Sequence, residues 1–171
     1  MKIYSQCISE FGGKHKWMGF IDTDEFLEVK APYTLHSMLS DLENNSTVGA
    51  LAINWLNHNS GGLEDRPTGQ GIRQTFTGCL SDDAKLENGG NACIKSFIKT
   101  SAIAGPLKTA HGGMLKKGMV TVGENGDLVV HDSTRDPPTK NKIALHHYAT
   151  RSRREYEVSL RENPRTPATF F

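Results

Sequence analysis

Short apolar runs alternate with long polar stretches along the whole chain. Trp17, Met18, Phe20 and Ile21 make a brief aromatic-rich run, which predicts a buried strand over 16–22. Beyond Pro32 and Tyr33, Leu35, Met38, Leu39 and Leu42 recur at i, i+3, i+4 and i+7. That spacing predicts an amphipathic helix, with Thr34 as its N-cap and Asn44-Asn45-Ser46 as its stop. VGALAINWL (48–56) is apolar apart from one Asn and predicts a second strand. Further strands are expected at 72–78, within 92–104, and on both sides of the turn GENG, 119–122 and 128–130. Residues 143–148 read as one more extended segment. Ser152 and Glu155 then carry capping-box spacing, Tyr156 and Leu160 lie at i, i+4, and Asn163-Pro164 marks the helix stop. Strand, helix and strand in that order predict an α/β layer arrangement.

The polar stretches 57–71, 80–91 and 132–142 read as loops, and long loops inside a compact domain are often functional. The chain of 171 residues suits one domain, placed at 1–162, with 163–171 as a tail. The balance of 20 basic against 19 acidic residues argues against nucleic acid as a partner. No apolar run approaches the roughly 20 residues that span a bilayer, and MKIYSQCISEFGG carries no apolar signal core. Cys7, Cys79 and Cys93 lack C-x-x-C spacing, so neither a zinc ribbon nor a disulfide framework is indicated.

The chemistry concentrates where the first apolar run meets Asp22-Thr23-Asp24-Glu25. On an extended segment alternate side chains share a face, so Asp22 and Asp24 are expected together, with Glu25 turned away and paired inside the protein. Two carboxylates at a strand end suit a hard cation, Mn²⁺ or Mg²⁺. Such an ion takes one or two carboxylates and completes its shell with water and substrate phosphates. A bare D-x-D is equally a solvated turn, so the rest of the chain has to decide.

Four stretches occur in an order that resembles glycosyltransferase family 92, also described as DUF23. KWMGFIDTDEFL (16–27) is similar to that family's W-x-x-(F/I)-I-D-x-D-E-F-L. LAINWL (51–56), with Ser60-Gly61-Gly62, Pro67 and Phe76, resembles its N-W-L series. IKSFIKT (94–100) and HHYATRSRREYEVSL (146–160) resemble its K-S-I-V-R-P and H-Y-x-T-K-S segments. Three positions depart from the pattern: Thr100 stands for its Pro, Ser159 for a late Lys, and the loop NHNSGGLED differs from the Gly-Ser-rich form.

The resemblance implies a GT-A-like mixed sheet with flanking helices. It implies metal-dependent, inverting transfer of a hexose from a nucleotide sugar, UDP-hexose foremost, to a glycan acceptor. In that fold a nucleotide-binding half precedes the D-x-D. With Asp22 so early, the chain is expected to hold only the metal and acceptor half. Animal relatives are Golgi membrane proteins and bacterial ones cytoplasmic or membrane-associated, so any membrane attachment would lie in a segment outside this chain.

These readings assign roles. Asp24 is the expected metal ligand, and Asp22 a second ligand or a contact to the donor's ribose. His111, His131, His146 and His147 compete for a third ligand, with the pair His146 and His147 favoured. Arg151, Arg153 and Arg154 surround a helix start whose free N–H groups attract anions. Arg151 and Arg153 are therefore expected on the diphosphate. Asn54 and Trp55 are expected at the substrate, Trp55 also suiting the core. Lys95 reads as a surface residue. The general base of an inverting transfer is sought among Glu64, Asp65, Asp82 and Asp83, with Asp65 and Asp83 preferred. Two alternatives stand beside this: a phosphohydrolase of the haloacid dehalogenase kind, which also places D-x-D after a strand, and a non-catalytic glycan-binding remnant.

Overall fold

A computed structural model describes residues 2–84, 86, 89–107 and 109–162. The organising element is β3 (Val48–Asn57), whose first seven residues are all buried. β4 (Ile94–Lys99) runs antiparallel along one side of it, with Ala50 opposite Ile98 and Asn54 opposite Ile94. β1 (Trp17–Gly19) adds an antiparallel strand beyond β4. It ends at Gly19, where a Cβ would stand 2.8 Å from the Phe97 ring. On its other side β3 changes partner along its length. β5 (Val120–Val122) lies parallel to its first half, and β7 (Ile143–His147) lies parallel to Trp55–Asn57. β6 (Leu128–Val129) closes a hairpin with β5, and β2 (Glu25–Val29) pairs antiparallel with β7. The result is a mixed sheet of seven strands. Its helices are α1 (Lys2–Phe11), α2 (Leu35–Glu43), the short α3 (Ile72–Thr75) and α4 (Arg153–Glu162). The expected α/β class holds.

The core follows from alternation. Leu51 and Ile53 of β3 meet Ile143 and Leu145 of β7, with Met38 of α2 laid over them and Leu27, Leu35 and Leu42 around the rim. Each such side chain contributes about 1.5–3 kcal/mol of burial. Thr34 caps α2 as expected: its hydroxyl accepts the Ser37 N–H, and the Ser37 hydroxyl accepts the Thr34 N–H in return. A cap of this kind is worth about 1 kcal/mol. Glu124 sits inside the hairpin turn, where its carboxylate accepts the N–H groups of Asn141, Lys142 and Ile143 and so fixes the entry to β7.

Three elements differ from the sequence expectation. The strand over 16–22 is shorter: it stops at Gly19, and a turn closed by Glu25 N–H on the Asp22 carbonyl starts β2. Ile72–Thr75 is helical rather than extended, because the Gln74 side chain reaches back to the Gly71 N–H and turns the chain locally. α1 carried no expectation; Tyr4 and Ile8, one turn apart, pack it against the buried cluster of Ala50, Ile98 and Leu107, and Tyr4 also meets the Phe20 ring. The stop at Asn163-Pro164 and the tail 163–171 lie outside the described residues.

Candidate active site

The turn between β1 and β2 carries both aspartates. They share the turn itself rather than one face of a strand, which corrects the alternation argument. Each is held differently. The Asp22 N–H donates to Glu25 Oε2 at 2.7 Å, and Lys95 Nζ stands 2.8 Å from Asp22 Oδ2. The Asp24 carbonyl accepts the Tyr148 N–H at 3.0 Å, which ties the turn to the end of β7. Among the described residues its carboxylate pairs with the Arg151 guanidinium, with Nη2 3.6 Å from Oδ2. Arg151 reaches this position from a left-handed backbone at φ 53°, a conformation that costs a non-glycine residue energy and is retained where the surroundings enforce it.

Lys95 is a correction: it is 3% exposed rather than a surface residue, and sits between Asp22 and Glu25. Glu25 is buried, as expected of a residue turned inward. Burial pushes its carboxyl above the usual range, against the Asp22 N–H and the Lys95 charge, which both pull it down.

β7 separates the two adjacent histidines. His147 points to the carboxylate side. Its Nδ1 lies 2.8 Å from Asn57 Oδ1, an oxygen that only accepts, so Nδ1 carries the proton and Nε2 keeps its lone pair. Burial pushes His147 down to about 4. Asp24 and Asp22 oppose that shift, and Lys95 and His111 add to it. The ring is therefore neutral at physiological pH and available as a ligand. The indole of Trp55 lies tilted against it, 4.0 Å between centroids, and also meets the His111 ring at 5.5 Å. His111 in turn sets its Nδ1 on the Ile94 carbonyl at 2.8 Å.

His146 faces the opposite side and is removed from the ligand set by the period of the strand. Its Nδ1 lies 2.8 Å from His58 Nε2 and its Nε2 3.1 Å from Glu28 Oε2. With Arg73, Cys79 and Tyr148 these groups line a separate cavity of about 540 Å³. His131 lies exposed in the loop after β6.

The remaining assignments divide. Asn54 is fully buried, and its amide is used inside the protein. Its Nδ2 donates to the carbonyls of Asn91, Ala92 and Arg135, and its Oδ1 accepts from Arg135 Nη1 and the Thr139 N–H. It braces loops rather than meeting substrate. The start of α4 is also closed to an anion, contrary to expectation. Arg153 N–H donates to the Leu63 carbonyl, Arg154 N–H to the Glu64 carbonyl, and Glu155 N–H to Ser152 Oγ. The Arg153 side chain pairs with Glu157 at 3.2 Å. Asp65 pairs with Arg154 at 3.0 Å and shares a cavity of about 490 Å³ with Arg66 and Arg151, which places it beside the arginine that meets Asp24. Asp83 is exposed in the turn 81–84, where its N–H donates to Ser81 Oγ.

Among the described residues no three His, Cys, Asp or Glu side chains converge on one point that would hold a metal. The fit to a divalent cation is thus a partial one. Asp24 and His147 act on each other electrostatically; the carboxylate is a donor that Mn²⁺ or Mg²⁺ takes when a phosphate completes its shell, and the imidazole is a softer donor that suits Mn²⁺ better than Mg²⁺. Asn57 is a member of this arrangement that the sequence reading left out. Among the described residues no helix is long and apolar enough to cross a membrane.

The chain matches no curated protein. The model of glycosyltransferase family 92 matches residues 1–165, nearly the whole chain, and takes in the D-x-D turn, β3, β7 and α4 together; the chain belongs to that family.

Proposed function

We propose that the chain transfers a hexose from a nucleotide sugar, with UDP-hexose the expected donor, to a hydroxyl of a glycan acceptor with inversion, and that Asp24 and His147 hold the divalent cation of that reaction. What supports the reading above all is the state of His147. A neutral imidazole, fixed by Asn57 through Nδ1, leaves Nε2 with its lone pair in a ring that feels the Asp24 charge. That is the arrangement of a histidine held ready for a metal. The cation would supply charge neutralisation to the diphosphate as it leaves. Arg151, already on Asp24, stands where its guanidinium can turn to the same diphosphate. The Trp55 ring, half-buried against His147, offers a face to a sugar. Asp65 is the stronger of the two base candidates, because its cavity includes Arg151. Family membership leaves the phosphohydrolase alternative without support.

The test is Asp24→Asn. Transfer from a nucleotide sugar, assayed over a Mn²⁺ series, should fall by about 10²–10³-fold, the scale of losing a transition-state electrostatic contact. Thermal stability should hold, because the ion pair of the Asp24 carboxylate with Arg151 is long at 3.6 Å. Wild-type rates at limiting Mn²⁺ would overturn the assignment.

A further inference from the structure

The two aspartates of the turn are equal in sequence and unequal in their surroundings. Lys95 comes from β4, opposite Ile53, and is 3% exposed. Its ammonium is 2.8 Å from Asp22 Oδ2 and 3.7 Å from Glu25 Oε2. Glu25 Oε2 also accepts the Asp22 N–H at 2.7 Å. Asp22 is thus held at two points, its backbone by Glu25 and its carboxylate by Lys95. A buried ammonium cannot release its counter-charge without loss, and its other carboxylate neighbour stands almost an ångström further away. Among the described residues Asp24 pairs with no buried cation, its ion pair being to Arg151 at 3.6 Å.

We propose that Lys95 is a positioning residue that withholds Asp22 from the divalent cation: Asp24 and His147 hold the ion in the donor-free chain, while the Lys95 ammonium acts as a built-in competitor for the first carboxylate of the D-x-D. This rests on the metal reading above and adds to it a division of labour within the motif. An ion drawn toward Asp22 would meet a fixed positive charge at short range. The donor-free chain therefore binds the ion loosely. Firm binding waits for a diphosphate, which brings its own negative charge.

The experiment is a Mn²⁺ titration of the full chain without nucleotide, read by the electron paramagnetic resonance signal of the free ion. The proteins are wild type, Asp24→Asn, Lys95→Met, and the double variant Lys95→Met with Asp22→Asn. Lys95→Met should bind Mn²⁺ at least about tenfold more tightly than wild type, because removal of the ammonium frees Asp22 to coordinate. The double variant removes a neutral pair, so its local charge matches wild type. Its affinity should return to within about threefold of wild type, since an ion held by one or two carboxylates has then lost nothing it used. A gain absent in Lys95→Met, or a double variant about tenfold or more weaker than wild type, overturns the proposal. Binding that is lost in Asp24→Asn while the double variant fails this comparison overturns the Lys95 role and leaves the metal reading standing. No binding in any of the four overturns both. If Lys95→Met does not fold by circular dichroism, Lys95→Gln removes the fixed positive charge while keeping a donor to Asp22; it should show a smaller gain of the same sign, and no gain there overturns the proposal.

Discussion

His146 and His147 are neighbours in the chain and lie on the two faces of β7, yet their surroundings have little in common. On one face His147 is held through Nδ1 by the acceptor Asn57, lies tilted against Trp55 and keeps the lone pair of Nε2 under the charges of Asp24 and Asp22. On the other face both nitrogens of His146 are engaged, one by His58 and one by Glu28. The difference lies in what each ring has left to offer. A histidine with one nitrogen pinned and one free can take a ligand. A histidine with both engaged belongs to a network that holds the protein together.

The comparison is broken most directly by exchanging the two. His147→Ala should weaken Mn²⁺ binding by about 100-fold or more, since removing even the outer partner of a metal-bound histidine costs 10–100-fold. His146→Ala should leave that affinity within about threefold, as its nitrogens are spent on the other face. Titration of both variants settles the pair, and equal losses would show that the faces are not separate. Asn57→Ala is the next smaller step. Without the oxygen on Nδ1 the ring is free to turn and to change tautomer, and Mn²⁺ affinity should fall by about tenfold.

Much of this site was legible from residues alone, and the limits have physical causes. The strands and helices that carry it, β3, β7, α2 and the capped start of α4, announce themselves through apolar runs and cap residues. The D-x-D stood out for its chemistry. What could not be read was direction. Adjacent histidines must face opposite ways on a strand, but only the pairing of β7 with β2 and β3 decides which of them meets Asp24. Lys95 was misread for a related reason. It shares a face of β4 with Phe97, which packs against the Met38–Leu145 core, so alternation buries the lysine too. Its counter-charges come from a turn about seventy positions earlier, beyond any local pattern. Asn54 and Asn57 look alike in sequence. Their separation into a loop brace and a histidine anchor depends on Arg135, Asn91 and His147, all distant in the chain.

Acid sharpens the comparison by a smaller amount. In the folded chain His147 takes up its proton near pH 4, while the unfolded chain takes it up near the usual value of about 6.5. Between those values the unfolded state binds more protons, so stability falls with pH across that window and falls no further from this group below it. The metal-free chain should lose roughly 1 kcal/mol from His147 alone by about pH 5.5. His58, lowered by burial and by His146, adds a loss of the same sign. Urea melts at neutral and mildly acid pH test this. His147→Asn should show a smaller loss than wild type, and an unchanged loss would mean that the His147 ring is not the group that resists the proton.

Glu28→Gln carries the smallest expected effect and tests how independent the two faces are. Glu28 sits at the exposed end of the network, about half exposed, 3.1 Å from His146 Nε2. A pair in that position contributes at most a few tenths of a kcal/mol, because water screens it and both side chains give up freedom to form it. The melting temperature should move by no more than about 2 °C. Mn²⁺ affinity should not move at all, since a glutamine still accepts a hydrogen bond there and the carboxylates of the D-x-D lie across the sheet. A tenfold change in metal affinity from this substitution would have only one route, through the β7 backbone from His146 to His147. It would mean that the strand transmits what its alternation should insulate.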